Sequence, residues 1–182
     1  LIGVNHSTIR YWDLRFFFDP RTFNADELSK FPVPSITACN GPVMLENLIN
    51  SGHPKNQLCK AEPLRFFDSQ HTVQLNDKLD KASRLIVIGD YAPTVMFNQM
   101  NLLAEAAPYF PADLEIIVKP HPGSLFSFED YPDLNLTFSH KPLSKLLRAS
   151  DLVYSGSNTS AVVDVFLIGV PMCIYIEPTS LN

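Results

Sequence analysis

Apolar and polar positions follow two different regimes along this chain, and the change comes near residue 84. From Arg84 onward, short apolar runs recur at regular intervals, each followed by a turn and then by a stretch with helical spacing. Leu85-Ile86-Val87-Ile88 predicts a buried strand ending at Gly89-Asp90-Tyr91, and residues 93–107 predict a helix with Val95, Met96, Met100, Leu103 and Ala107 as apolar positions. Further strands are predicted over 114–118, 134–138, 152–154 and 171–176. Helices are predicted over 143–149 and 159–168, the second closed by Gly169. Strands that alternate with helices at this spacing imply parallel βαβ units with right-handed crossovers. The predicted class is α/β, a Rossmann-like parallel sheet with flanking helices.

Before residue 84 the pattern is less regular. Residues 1–35 read as irregular, with aromatic Tyr11-Trp12 and Phe16-Phe17-Phe18 followed by Asp19-Pro20 and a Phe31-Pro32-Val33-Pro34 corner. Residues 35–39 predict a short buried strand, Asn40-Gly41-Pro42 a turn, and 43–50 a helix with Met44, Leu45, Leu48 and Ile49 on one face. Gly52 is placed to close that helix, with Pro54 two residues beyond. Residues 55–83 read as connecting chain. The expected organisation is therefore the end of one Rossmann-like domain over 1–58, a linker over 59–83, and a second Rossmann-like domain over 84–182. The first residue is not methionine and the last follows an apolar strand, so the chain is expected to be a piece of a longer protein.

Composition narrows the function. With 182 residues and 46% hydrophobic content there is ample material for a core. A formal net charge of -5 argues against nucleic acid as the main partner, because phosphate-backbone binding needs a basic surface. Cys39, Cys59 and Cys173 show no paired metal-ligand spacing and fit a reducing compartment, so a cytoplasmic location is expected. No apolar run is long enough for a membrane span and no basic-then-apolar signal pattern is read, so neither a span nor a signal peptide is expected, and peripheral attachment at the inner face of a membrane stays open.

Ligands of open α/β sheets collect at the carboxyl ends of the strands, and the predicted turns there suit an anion. In Lys119-Pro120-His121-Pro122 the two prolines hold His121 on a stiff arm, where it can donate to a phosphate or simply tie down the turn. Ser155-Gly156-Ser157-Asn158-Thr159-Ser160 offers hydroxyls and an amide immediately before a helix, whose free N–H groups and dipole favour an anion. One of these residues is expected to cap the helix. Asp164, one turn past Ser160 in an otherwise apolar helix, could accept from ribose hydroxyls or be a solvated carboxylate. His6 is a candidate base, with packing as its competing role.

On these residues the chain resembles GT-B-fold glycosyltransferases of bacterial surface-carbohydrate and capsule polysaccharide biosynthesis. It is similar in style to the CMP-sugar-dependent sialyl- and Kdo-transferases and the CDP-glycerol polymerases. The likeness rests on the His-Pro motif at Lys119-Pro120-His121-Pro122, the serine-rich turn at 155–160, and Asp164 followed by Gly169-Val170-Pro171. The runs Ala38-Cys39-Asn40-Gly41 and Ala61-Glu62-Pro63-Leu64-Arg65-Phe66 resemble the junction between the two domains. The resemblance implies the C-terminal half of a GT-B two-domain fold and a metal-independent transferase without a cofactor, whose substrates are a nucleotide-sugar, CMP-activated, and a saccharide or glycolipid acceptor. Lys119, His121, Ser155, Ser157, Asn158, Thr159 and Ser160 would hold the nucleotide and its phosphate, Asp164 the ribose, and His6 would be the base. Two alternatives stay open: an enzyme like UDP-GlcNAc 2-epimerase, and a non-catalytic Rossmann-like binding module.

Overall fold

The computed structural model describes residues 1–5, 9, 16–23, 32–62, 82–123 and 127–178. The chain forms two compact units, residues 1–68 and 69–182.

The first unit is built on a parallel three-stranded sheet in the order β1-β2-β3, with β1 at Ile2–Val4, β2 at Ile36–Cys39 and β3 at Leu58–Lys60. Helix α1 (Pro42–Asn50) connects β2 to β3. Its start follows from Pro42, whose fixed φ suits the first helical position, and from Gly41 at φ 135°, a conformation that side-chain-bearing residues rarely adopt. Its end is a Schellman motif: Gly52, at φ 93°, donates to the Ile49 carbonyl and His53 donates to the Leu48 carbonyl. Met44 and Leu48 pack with Cys39 into a small core that Phe16, Phe17 and Leu58 border. The helix and β2 agree with the periodicity. β1 and β3 do not, since they fall in stretches read as irregular and as connecting chain. Both are three residues long, too short for a period of two to show, and backbone pairing to β2 makes them strands.

The second unit carries a five-stranded parallel sheet in the order β6-β5-β4-β7-β8. Its elements are β4 (Arg84–Ile88), α2 (Pro93–Ala106), β5 (Glu115–Lys119), β6 (Leu136–Phe138), α3 (Leu143–Leu147), β7 (Leu152–Gly156), α4 (Ala161–Ile168) and β8 (Met172–Tyr175). Every element predicted after residue 84 is present, with ends displaced by one or two residues. β4 is the central strand and alternates between two cores. Leu85 and Val87 pack with Met96, Met100 and Leu103 of α2, while Ile86 and Ile88 pack with Leu146 and Leu147 of α3 and Ala161 and Val165 of α4. Burial on both faces explains why this strand is a continuous apolar run. Each buried aliphatic side chain contributes roughly 1.5–3 kcal/mol, so β4 anchors the unit.

From β4 the chain steps to β5 and β6 on one side, then returns to β7 and β8 on the other. The connections leaving β4 and β7 thus diverge, and the gap between their carboxyl ends is a topological switch point, where open α/β sheets bind ligands. Among the described residues no helix is long and apolar enough to cross a membrane.

Candidate functional site

Register brings the sequence-predicted motifs of the second unit into one row. Ile88 pairs with Lys119 of β5 on one side and with Ser155 of β7 on the other, and Ser155 pairs with Ile174 of β8. The turns after β4, β5 and β7 therefore leave the sheet side by side. Two glycines let them touch. A Cβ on Gly89 would lie 3.3 Å from the His121 backbone nitrogen and 2.9 Å from the Met96 sulfur. A Cβ on Gly156 would lie 3.2 Å from Asp90 Oδ2. A larger residue at either position would separate the strand ends.

His121 projects from this row and is exposed. Its Nδ1 accepts a hydrogen bond from the Gly123 N–H at 3.1 Å. An accepting Nδ1 assigns the ring proton to Nε2, which becomes a donor directed away from the turn. Both roles considered for this histidine are thus combined, since the bond that ties down the turn also sets the tautomer. The exposed Tyr91 ring meets the imidazole edge-on, with centroids 6.2 Å apart. Lys119, the last residue of β5, is half-buried.

The serine-rich turn divides into two kinds of residue. Ser155 is fully buried and its hydroxyl donates to the Gly156 carbonyl, so it shapes the strand end from inside. Ser157, Asn158, Thr159 and Ser160 are half-buried. The Ser157 N–H donates to the Tyr175 carbonyl at 2.8 Å, extending the pairing with β8. Thr159 Oγ1 accepts the Ala161 N–H at 3.2 Å, while Ser160 occupies the N-cap position without a side-chain capping bond. The Thr159 hydroxyl thus serves the start of the helix. α4 begins at Ala161, two residues later than its periodicity predicts, which puts Asp164 in the first turn. Its carboxylate there complements the helix dipole. His6 lies outside the described residues.

Three polar side chains that sequence reasoning did not single out lie beneath this row. Asp90 is fully buried; its Oδ1 accepts the Ala92 N–H at 3.0 Å, and its Oδ2 has no partner among the described residues. Gln99, from α2, is fully buried as well. It donates to the Ile88 carbonyl at 3.2 Å and leaves Oε1 unpaired among the described residues. Both oxygens approach the space that a side chain on Gly156 would fill, at 3.2 and 3.8 Å. Glu177, just past β8, is buried and accepts from Asn98 of α2 and from the Tyr175 hydroxyl. Below them the Tyr154 hydroxyl donates to the Gln99 carbonyl, and burial pushes its pKa up to about 12. The sequence offers no signal that sets Gln99 apart, since α2 also carries Thr94, Asn98, Asn101 and Glu105.

A scan against protein-family models finds no match, and a search of the curated proteins finds none. Solved structures do match. UDP-N-acetylglucosamine 2-epimerase from Rickettsia bellii aligns over 94% of this chain and 48% of its own, at 16% identity and a TM-score of 0.56. Anabaena HepE, solved in complex with UDP, aligns over 94% of this chain and 52% of its own, at 16% identity and a TM-score of 0.51. A TarM mutant of S. aureus, solved with fondaparinux, alpha-GlcNAc-glycerol and UDP, aligns over 96% of this chain and 36% of its own, at 12% identity and a TM-score of 0.50. The fold is the Rossmann-like α/β fold of GT-B proteins. The chain spans about half the length of the first two structures and about a third of the last. At these identities the likeness concerns the fold, so the chemistry rests on the row of turns described above.

Proposed function

We propose that the second unit binds the nucleotide of an activated sugar, and that the chain is the donor-binding portion of a GT-B glycosyltransferase acting on a saccharide or glycolipid acceptor. One observation carries the reading: three strand-end turns converge at the switch point, held together through Gly89 and Gly156, with His121 Nε2–H and the α4 N-terminus beside them. In this reading His121 and Lys119 stabilise charge on the departing phosphate, since donors fixed before reaction cost no reorganisation when the charge develops. Ser157, Asn158, Thr159 and Ser160 hold the phosphate and nucleoside at the positive end of the α4 dipole, and Asp164 accepts from the ribose. Ser155, being buried, acts by shaping the turn. A role for His6 as base belongs to the same proposal.

The motif likeness leans to a cytidine nucleotide. The uridine nucleotide in the HepE and TarM complexes favours uridine instead, and UDP is the first ligand to test. A second reading, an epimerase acting on a UDP-sugar, is supported by the likeness to the Rickettsia enzyme. The test is a calorimetric titration with UDP, CDP, CMP and ADP, repeated on His121→Ala and Lys119→Ala. Pyrimidine nucleotide binding weakened in both variants is expected. Binding that neither variant changes, or no binding at all, would refute the assignment. Release of free sugar or transfer to an acceptor from a bound UDP-sugar supports the transferase, and inversion at C2 of the sugar supports the epimerase.

A further inference from the structure

The turn after β4 carries an aromatic side chain to which the nucleotide reading gives no role. Tyr91 is 63% exposed, yet the chain on either side of it is fixed. The buried Asp90 side chain encloses it in an Asx turn, with Oδ1 accepting the Ala92 N–H at 3.0 Å. Pro93 then opens α2 and keeps Ala92 extended, at φ -83° and ψ 118°. The ring itself meets the His121 imidazole edge-on, with centroids 6.2 Å apart and planes at 68°. Gly89 allows that approach, because a Cβ there would lie 3.3 Å from the His121 backbone nitrogen. An exposed ring held in place before anything binds is a prepared surface, since covering it buries apolar area with little side-chain ordering left to do.

We propose that Tyr91 is a specificity-determining residue whose ring face receives the C–H face of the sugar in the bound nucleotide-sugar. The inference rests on the nucleotide reading above and deepens it. Two arguments select the sugar over the other parts of the ligand. The face of an aromatic ring is electronegative, so it repels a phosphate and attracts the weakly positive hydrogens of C–H groups. The ring also meets His121 of the turn after β5, where the departing phosphate is assigned, whereas the nucleoside is assigned to the turn after β7, on the opposite side of β4. The sugar is the group bonded to the departing phosphate, and so it is the ring brought to Tyr91.

The test is a calorimetric titration of the 182-residue chain, of Tyr91→Ala and of Tyr91→Phe with UDP and with UDP-glucose, which share the nucleotide and differ in the sugar. In Tyr91→Ala, UDP-glucose affinity is expected to fall about tenfold and UDP affinity to stay within about twofold, because only the ring area that the sugar covers is lost. UDP binding by the variant also reports that its fold is intact. Tyr91→Phe keeps the ring face and is expected to hold both ligands within about twofold of the unmodified chain. Absence of UDP binding to the unmodified chain would overturn the nucleotide reading and this inference with it. Where UDP binds, that reading stands, and the inference alone falls on any of four results: UDP-glucose does not bind the unmodified chain, Tyr91→Ala leaves its affinity unchanged, Tyr91→Ala weakens both ligands equally, or Tyr91→Phe loses as much as Tyr91→Ala.

Discussion

The two ends of the five-stranded sheet are built on opposite principles. At the amino ends of its strands the prominent polar groups are answered. Asp151 Oδ2 accepts from the Ser83 N–H, the Ser83 hydroxyl and the Arg84 N–H, and Arg84 in turn donates to Glu115 at 2.6 Å and to the Ala149 carbonyl at 2.9 Å. At the carboxyl ends, Asp90 Oδ2 and Gln99 Oε1 are buried without a donor among the described residues, and His121 Nε2–H points outward. The first end closes the fold, and the second leaves hydrogen-bonding capacity in place. That asymmetry separates residues that hold the sheet from residues that can act on a ligand.

The contrast is broken most severely at Gly156. Gly156→Val would drive a branched side chain into Asp90 and Gln99, and is expected to cost about 3 kcal/mol in urea unfolding and to abolish nucleotide binding. A stable variant that still binds would mean the strand ends do not need to touch.

Asp151→Ala probes the other end and is expected to cost about 2 kcal/mol while leaving nucleotide affinity unchanged, because it removes the acceptor of three hydrogen bonds remote from the turns at the carboxyl ends. It also carries a pH signature. The backbone bond from Ser83 holds the Asp151 carboxyl below its usual 3.8, so its contribution is present above that value and is lost as pH falls through the lower folded pKa. Stability of the unmodified chain should therefore fall more steeply below about pH 4 than that of Asp151→Asn, measured by urea midpoints across the acid range.

His121→Ala should reverse the Asp151→Ala pattern. Nucleotide affinity is expected to drop about tenfold with stability changed by less than about 0.5 kcal/mol, as suits an exposed donor. Calorimetry and urea unfolding of the same sample check both halves.

The smallest effect has an unusual sign. Asp90→Asn retains an acceptor for the Ala92 N–H and supplies an amide donor where Oδ2 now lacks a partner, so it is expected to stabilise the chain by about 1 kcal/mol. A destabilisation of that size would show that the carboxyl end is as well satisfied as the amino end.

Legibility from the sequence followed element length and burial. The strand Leu85-Ile86-Val87-Ile88 was legible because burial on both faces writes an uninterrupted apolar run, and the α1 and α4 ends were legible because Gly52 and Gly169 adopt positive φ. His121 and the serine-rich turn stood out as polar, conformationally distinctive residues at strand ends. β1 and β3 were missed because three residues carry no readable period. Asp90 was visible only as part of a turn, while Gln99 and Glu177 gain their meaning from burial.

By itself, then, the sequence determined the local architecture of the second unit: which residues form strands, where helices begin and end, and which polar residues stand at strand ends. These depend on neighbours a few positions away. The order β6-β5-β4-β7-β8, the register that sets Lys119 and Ser155 on either side of Ile88, and the unpaired oxygens around Gly156 were decided only by the tertiary structure. Those features depend on pairing and burial between segments far apart in the chain, which no local pattern encodes.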